Sequence, residues 1–343
     1  MKNNKLKFIY DYTFLLLGLL AAVLVVFTVM KSSMLWTMSS WRGMTMQFPE
    51  YGVFALGVML CFIIGCIDVS FVALGNFATV VAFKLLLIFT KGGIPKEQIG
   101  PFVILAILIA LAVGAIGGYL NGNLISRLGI PPILATLATQ LVFSGLSIAL
   151  TKGNAVQGIP EVYGRVGHMN LFGFLPMPLF IFLVVFLICA FLLKYTVYGK
   201  KLYMTGANQK VARFSAINTT RMINTTFIIN GMFAAVGALL MVSTMNSAKA
   251  DYGSTYLMRC ILILVLAGVL PAGGMGKIRN VLISVVIIQI VSSGVNMFAQ
   301  INAFYSNLIS AILLLVMLVA TSYLLGEKKL RKTGSGNVSE KPA

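Results

Sequence analysis

Apolar residues along this chain neither alternate nor keep to one narrow helical stripe. They run in blocks close to the roughly 20 residues a helix needs to cross a membrane, parted by short polar segments. Ten such blocks are legible: 12–30, 51–67, 69–89, 101–121, 132–150, 175–193, 223–243, 257–271, 278–298 and 303–325. They predict an all-α polytopic membrane protein of about ten transmembrane helices. Only Asp68 and its neighbours part the second block from the third. The stretch 51–89 therefore reads either as two full spans or as a broken helix with a re-entrant turn. Gly114, Gly118 and Gly122 repeat at four-residue spacing at the end of the fourth block and mark a close helix contact, within one bundle or between two copies. Ile130-Pro131-Pro132 then resets the chain before the fifth.

Composition agrees with the blocks. Of 343 residues, 59% are apolar and 10% charged, and the mean hydropathy is +0.96; a soluble domain runs nearer 45–50% apolar and about 25% charged. A soluble enzyme, a disordered chain and a disulfide scaffold are excluded. Lys2, Lys5 and Lys7 precede an apolar stretch from Phe14 to Met30 with no small-residue cleavage site after it, which predicts a retained anchor rather than a signal peptide.

The net charge of +18 would suggest nucleic acid in a soluble protein; in a membrane protein it reports orientation. With the N-terminus placed inside, the inner segments hold 17 of the 26 basic residues and the outer segments 8, with Lys84 left within the third block. Both termini are therefore expected to be cytoplasmic, with residues 1–326 as the transmembrane domain and 327–343 as a disordered tail. The longest outer segments are expected at 31–50 and 151–174.

Candidate chemistry is sparse. Gly273-Gly274-Met275-Gly276-Lys277-Ile278 lacks the first glycine and the Ser/Thr of a phosphate-binding loop, so ATP hydrolysis by this chain is not expected. Cys61, Cys66, Cys189 and Cys260 sit in apolar runs and read as buried hydrophobes; His168 stands alone. No catalytic residue, metal site or cofactor is expected. Asp68 reads either as a cap at a helix break, with Ser70 close by, or as an intramembrane proton or ion site. The segment from Lys194 to Met222 holds six basic and no acidic residues. Ala212, Phe214, Ala216 and Ile217 interleave with those charges, as in a short amphipathic helix that docks in a partner's groove, although an ordinary positive-inside loop has the same composition.

Four stretches carry a resemblance. Ile67-Asp68-Val69-Ser70 is similar to a G-I-D-L-S-V-G pattern. The run from Asn121-Gly122 through Ile130-Pro131-Pro132 to Thr136 and Thr139 resembles N-G-x-L-V-x-x-x-x-I-P-P-F-I-A-T-L-G-T. Gly206 to Ile217 resembles G-x-N-x-x-A-A-R-L-S-G-I. Leu266 to Gly276 is similar to V-L-G-G-x-S-L-x-G-G-x-G. In this order the chain resembles, from about residue 50 to 325, the permease subunits of bacterial ABC importers for ribose, galactose, xylose and the autoinducer-2 sugar. It departs at Cys66, Phe71-Val72, Ala138 and Ala216, where the pattern has glycines or Val-Gly, and at Lys210-Val211 and Leu270-Pro271.

The resemblance implies an importer permease in the bacterial cytoplasmic membrane that works as a dimer with a second copy or a paralogue. Its loop at Gly206, Asn208, Ala212, Arg213, Ser215 and Ile217 would couple to a cytoplasmic ATP-binding subunit, and an extracytoplasmic solute-binding protein would deliver the solute. ATP would be used by the partner, and nucleic acid has no role. Asp68, Ser70, Asn121 and Thr136 are candidates for the translocation path. The rival reading is a stand-alone ion- or proton-coupled carrier with Asp68 at its coupling site. A membrane enzyme would need clustered carboxylates or histidines, and eight scattered acids with one histidine argue against it.

Overall fold

The computed structural model describes residues 2–90, 99–171 and 173–298, and six helical residues between 308 and 319. In chain order the helices are α1 (Lys2–Leu35), α2 (Met38–Ile64), α3 (Phe71–Thr90), α4 (Ile99–Ser126), α5 (Pro132–Thr151), α6 (Glu161–Gly164), α7 (Met177–Tyr195), α8 (Val197–Ala207), α9 (Gln209–Phe214), α10 (Thr219–Met245), α11 (Tyr256–Leu266) and α12 (Ile278–Asn296). A two-stranded antiparallel hairpin, β1 (Asn170–Leu171) and β2 (Leu175–Pro176), lies between α6 and α7. Among the described residues, eight helices are long and apolar enough to cross a membrane: α1 from Tyr12 onward, α2, α3, α4, α5, α7, α10 and α12. The span expected at 303–325, apart from those six positions, and the tail expected at 327–343 lie outside the described residues.

Two expected boundaries are corrected. The block 257–271 is not one span. Its helix, α11, has 11 residues, roughly 16 Å at 1.5 Å per residue, about half of a hydrocarbon core. Gly268, at φ +73°, ends it: the Gly268 amide bonds the Val265 carbonyl (3.0 Å) and the Val269 amide the Leu264 carbonyl (2.9 Å), the paired closure of a glycine-terminated helix. The other correction concerns 31–50, which is not an outer loop. Thr37 caps a new helix by accepting from the Ser40 amide, and α2 runs on through Pro49 to Ile64.

α2 ends as α11 does. Gly65 takes φ +84°, its amide bonds the Phe62 carbonyl (3.0 Å), and the Cys66 amide bonds that of Cys61 (2.9 Å). A break at 65–70 follows, and α3 leaves it to pack on α4, α5 and α10 rather than on α2. The alternative left open for 51–89 thus resolves into two long helices joined by a non-helical segment inside the bundle.

Burial sorts the helices. In α2, 94% of the apolar window is buried, against 11% in α1. α2, α3 and α10 form the centre, while α1, α4, α5 and α7 turn residues such as Val29, Leu108 and Leu141 outward, where lipid is the solvent. Lys84 near the end of α3 donates to the Leu150 carbonyl. α4 and α10 run antiparallel with their backbones in contact. Gly114 faces the Gly231 carbonyl, Gly118 that of Phe227, and Gly122 faces Asn224.

One end of the bundle carries α8 and α9. The other carries α6, the hairpin and the turn 246–255, which Asn76 holds by donating to the Ala250 (3.0 Å) and Tyr252 (2.8 Å) carbonyls.

A Cβ at Gly118 would overlap the Phe227 carbonyl, whereas Gly145 on α5 has open space. Gly118→Val is expected to lower the thermal unfolding midpoint in detergent, at a cost of about 1–3 kcal/mol or more. Gly145→Ala is expected to leave the midpoint unchanged or slightly raised.

Candidate functional site

Within the bundle, the break between α2 and α3 is held by a cluster of polar side chains. Asp68 Oδ1 accepts from the Ser70 amide (2.8 Å) and the Ser70 hydroxyl (2.7 Å), and Oδ2 accepts from Asn230 Nδ2 on α10 (2.7 Å). Asn121 Nδ2 on α4 donates to Ser70 Oγ (2.8 Å). On α5, Thr136 Oγ1 accepts from the Val69 amide (3.2 Å) and donates to the Pro132 carbonyl (2.8 Å). The structure therefore brings Asp68, Ser70, Asn121 and Thr136 together and adds Asn230; all five are at most 1% exposed. Three different helices are tied to one non-helical segment. Short polar side chains at fixed places let a carboxylate lie inside the bundle because both its oxygens are occupied.

The segment 267–277 after α11 meets this break from the side. The Gly274 amide donates to the Ile63 carbonyl (2.8 Å) and so satisfies an orphaned carbonyl at the end of α2. Gly273 lies against Gly65. Gly206 on α8 sits on both: a Cβ there would overlap the Ile63 carbonyl and crowd the Gly274 amide. Tyr203, one turn earlier, donates to the Gly276 carbonyl (2.7 Å). Burial pushes the Tyr203 hydroxyl up to about 12, so it remains a donor at physiological pH. The ends of two interrupted helices and the end of α8 thus meet at one point, backbone to backbone.

From that point the chain reaches the surface. Asn208 caps α9, its Oδ1 accepting from the Lys210 (3.0 Å) and Val211 (3.1 Å) amides. Ala212 is buried, Arg213 donates through Nε to Thr219 Oγ1 at the start of α10 (2.9 Å), and Ser215 donates to the Val211 carbonyl (3.1 Å). The Ile217 amide bonds the Ala212 carbonyl (3.0 Å) and the Ala216 amide that of Arg213 (3.0 Å). Ala216 itself stands at φ +57°. The large apolar residues of this segment that point away from the protein are Val211 and Phe214, the latter 92% exposed.

A second polar cluster has no counterpart among the residues singled out from the sequence. Glu50 on α2 is 4% exposed. Its oxygens accept from Thr244 Oγ1 (2.5 Å) and the Tyr256 hydroxyl (2.8 Å), and Arg259 stacks over the rings of Tyr51 and Tyr256. Tyr51 donates to Gln289 on α12 (2.5 Å). Glu50 closes the stretch 31–50 expected as an outer segment, and that hid the residue; the apolar run that follows directly from Tyr51 was the available signal. Among the described residues no three His, Cys, Asp or Glu gather as metal ligands, and the four cysteines are buried and free.

Comparison with known proteins shows what the chain is similar to. Residues 41–319 match the family described as branched-chain amino acid transport system permease components. An autoinducer 2 import system permease protein, LsrD, of Photorhabdus luminescens is 31% identical over 328 residues, 94% of each chain. The protein of the same name from Yersinia enterocolitica is 32% identical over 279 residues, covering 80% of this chain and 81% of its own.

Asp68→Leu is expected to unfold the break, since each group left unpaired in the interior costs about 1–3 kcal/mol. Asp68→Asn is expected to fold and to retain transport: the Asn230 Oδ1, unpartnered here, can turn to accept from the new amide. Loss of transport in a folded Asp68→Asn protein would instead assign a role to the charge. Ala216→Gly removes a left-handed alanine worth roughly 1–2 kcal/mol, and is expected to slow hydrogen exchange in α9.

Proposed function

The chain belongs to the family of branched-chain amino acid transport system permease components, and from that premise we propose that it is the membrane subunit of an ATP-driven importer of a small polar solute of the monosaccharide type. Two relatives about as long as this chain are named for autoinducer 2 import, and the four sequence stretches are those of sugar-importer permeases. The subunit carries out no covalent chemistry. ATP is bound and hydrolysed by a cytoplasmic partner, a second permease completes the pathway, and an extracytoplasmic binding protein supplies the solute. The α8 end faces the cytoplasm, in keeping with 17 basic residues against 8.

The observation that carries this reading is the contact of Gly206 with the Ile63 carbonyl and the Gly274 amide. It supports a route by which force on α9 reaches both helix breaks without passing through a flexible side chain. α9 offers Phe214 and Val211 to a groove on the ATP-binding subunit. Movement there displaces α8, and the break at 65–70 lies directly behind it, tied to α4, α5 and α10. Interrupted helices are where a bundle can change shape at small cost, so switching between outward and inward access is placed at that break. Both oxygens of Asp68 are engaged by Ser70 and Asn230, which favours a role in shaping the break over ion coupling.

Arg213 holds α9 to α10 through Thr219, so its substitution would disturb structure as well as docking. Phe214→Asp isolates the surface. Reconstituted with its ATP-binding subunit and binding protein, this variant is expected to fold and insert normally and to lose at least about tenfold in solute-stimulated ATP hydrolysis, since one buried aromatic anchor is worth 2 kcal/mol or more. Unchanged hydrolysis would overturn the assignment. Uptake that ribose-type sugars inhibit and leucine does not is the result expected for the solute class.

A further inference from the structure

A cleft of about 400 Å³ opens at the α8 end between the close-packed α4 and α10, and its lining shares no residue with the Gly206 junction. Arg127, just past the end of α4, and Arg221, in the first turn of α10, stand at its rim; Thr220 and Thr225 add hydroxyls, and Tyr119 and Ile228 line its inner part. Both arginines are exposed. No acidic residue lines the cleft, and the two ion pairs of the described residues, Arg165–Glu161 and Lys249–Asp251, lie at the opposite end of the bundle.

The lining is graded along the membrane normal. Tyr119 precedes Arg127 by two turns of α4, and Ile228 follows Arg221 by two turns of α10, so the antiparallel helices place two cations at one level and two apolar groups about 10–12 Å deeper. The surface beyond the apolar end is continuous with Ile116, Leu120 and Met232, all exposed. A soluble acidic partner would match the rim alone. An amphiphile with an anionic head and a hydrocarbon body matches the whole gradient.

We propose that this cleft holds the phosphate headgroup of an anionic phospholipid, with Arg127 and Arg221 on the phosphate, Thr220 and Thr225 beside it, and the acyl chains descending past Tyr119 and Ile228. The lipid would then bridge the outer surfaces of α4 and α10 at the end where α9 and Arg213 also join α10.

The test uses the full chain in phosphatidylcholine nanodiscs with and without phosphatidylglycerol, reading lipid retention by native mass spectrometry and the unfolding midpoint. Phosphatidylglycerol is expected to be retained and to raise the midpoint. Each arginine lost is expected to weaken retention about fivefold, so that Arg127→Gln/Arg221→Gln falls roughly 25-fold. Lys200→Gln/Lys201→Gln, which removes two charges at the same end but outside the cleft, is expected to change nothing. Equal losses in the two double variants would reduce the effect to general surface charge and overturn the site. Stabilisation by inorganic phosphate alone to the same extent would overturn the lipid as its occupant. Loss of the ATP-binding subunit from the arginine variant with lipid retention intact would assign the cleft to protein docking instead.

Discussion

Hydrocarbon offers no hydrogen bonds, so every backbone amide and carbonyl within the bundle must find its partner in the protein. A continuous helix meets that condition by itself. This chain interrupts two of its helices inside the bundle, and much of what is specific about it answers the resulting demand. Glycine closures end α2 and α11, the Gly274 amide reaches the Ile63 carbonyl, and Asp68 with Ser70 turns the chain into α3. Asn230, Asn121 and Thr136 anchor that turn from three directions. Removing one of these groups leaves another without a partner where water is scarce, so the polar cluster is a single unit.

The same demand explains where the surface loop is attached. Gly65, Gly273 and Gly274 carry no side chain, so another backbone can approach this part of the break closely. Gly206 makes that approach. α8 is therefore joined to the interior through main-chain atoms, and the residues that project from α9 are free to serve the surface. Tyr203 and the caps at Asn208 and Asn218 fix the geometry on either side.

Much of this was legible in the sequence because lipid imposes long apolar runs. Apart from α2, the long helices follow the apolar blocks closely, and the glycines of α4 announced a close contact by their spacing. The misreadings have one physical source. Hydropathy reports which residues tolerate lipid and says nothing of backbone path, so 257–271 read as one span although Gly268 stops its helix. The residues 31–50 read as an outer segment because Pro49, Glu50 and several hydroxyls lower the local hydropathy, although α2 runs through them from Met38 and buries Pro49 and Glu50. The candidate path residues were drawn from separate stretches, and their assembly into one network depends on the antiparallel register of α4 against α10, which no local pattern carries. Asn230 was visible only as a polar residue within a span, and Glu50 only as a residue beside a proline.

The seam between α4 and α10 has a further implication for motion. Where Gly114, Gly118 and Gly231 bring backbone against backbone, the two helices interlock over several turns with few side chains able to change rotamer and yield. Such a pair translates or tilts as one piece. α3 leans on the same pair and α2 packs on α10, while the end of α2 and the segment after α11 meet α8. α4 and α10 thereby form one stiff pair against which both α2 and α3 are set, and the short stretch from Gly65 to Ser70 is the part of the main chain between α2 and α3 that is not braced by helical hydrogen bonds.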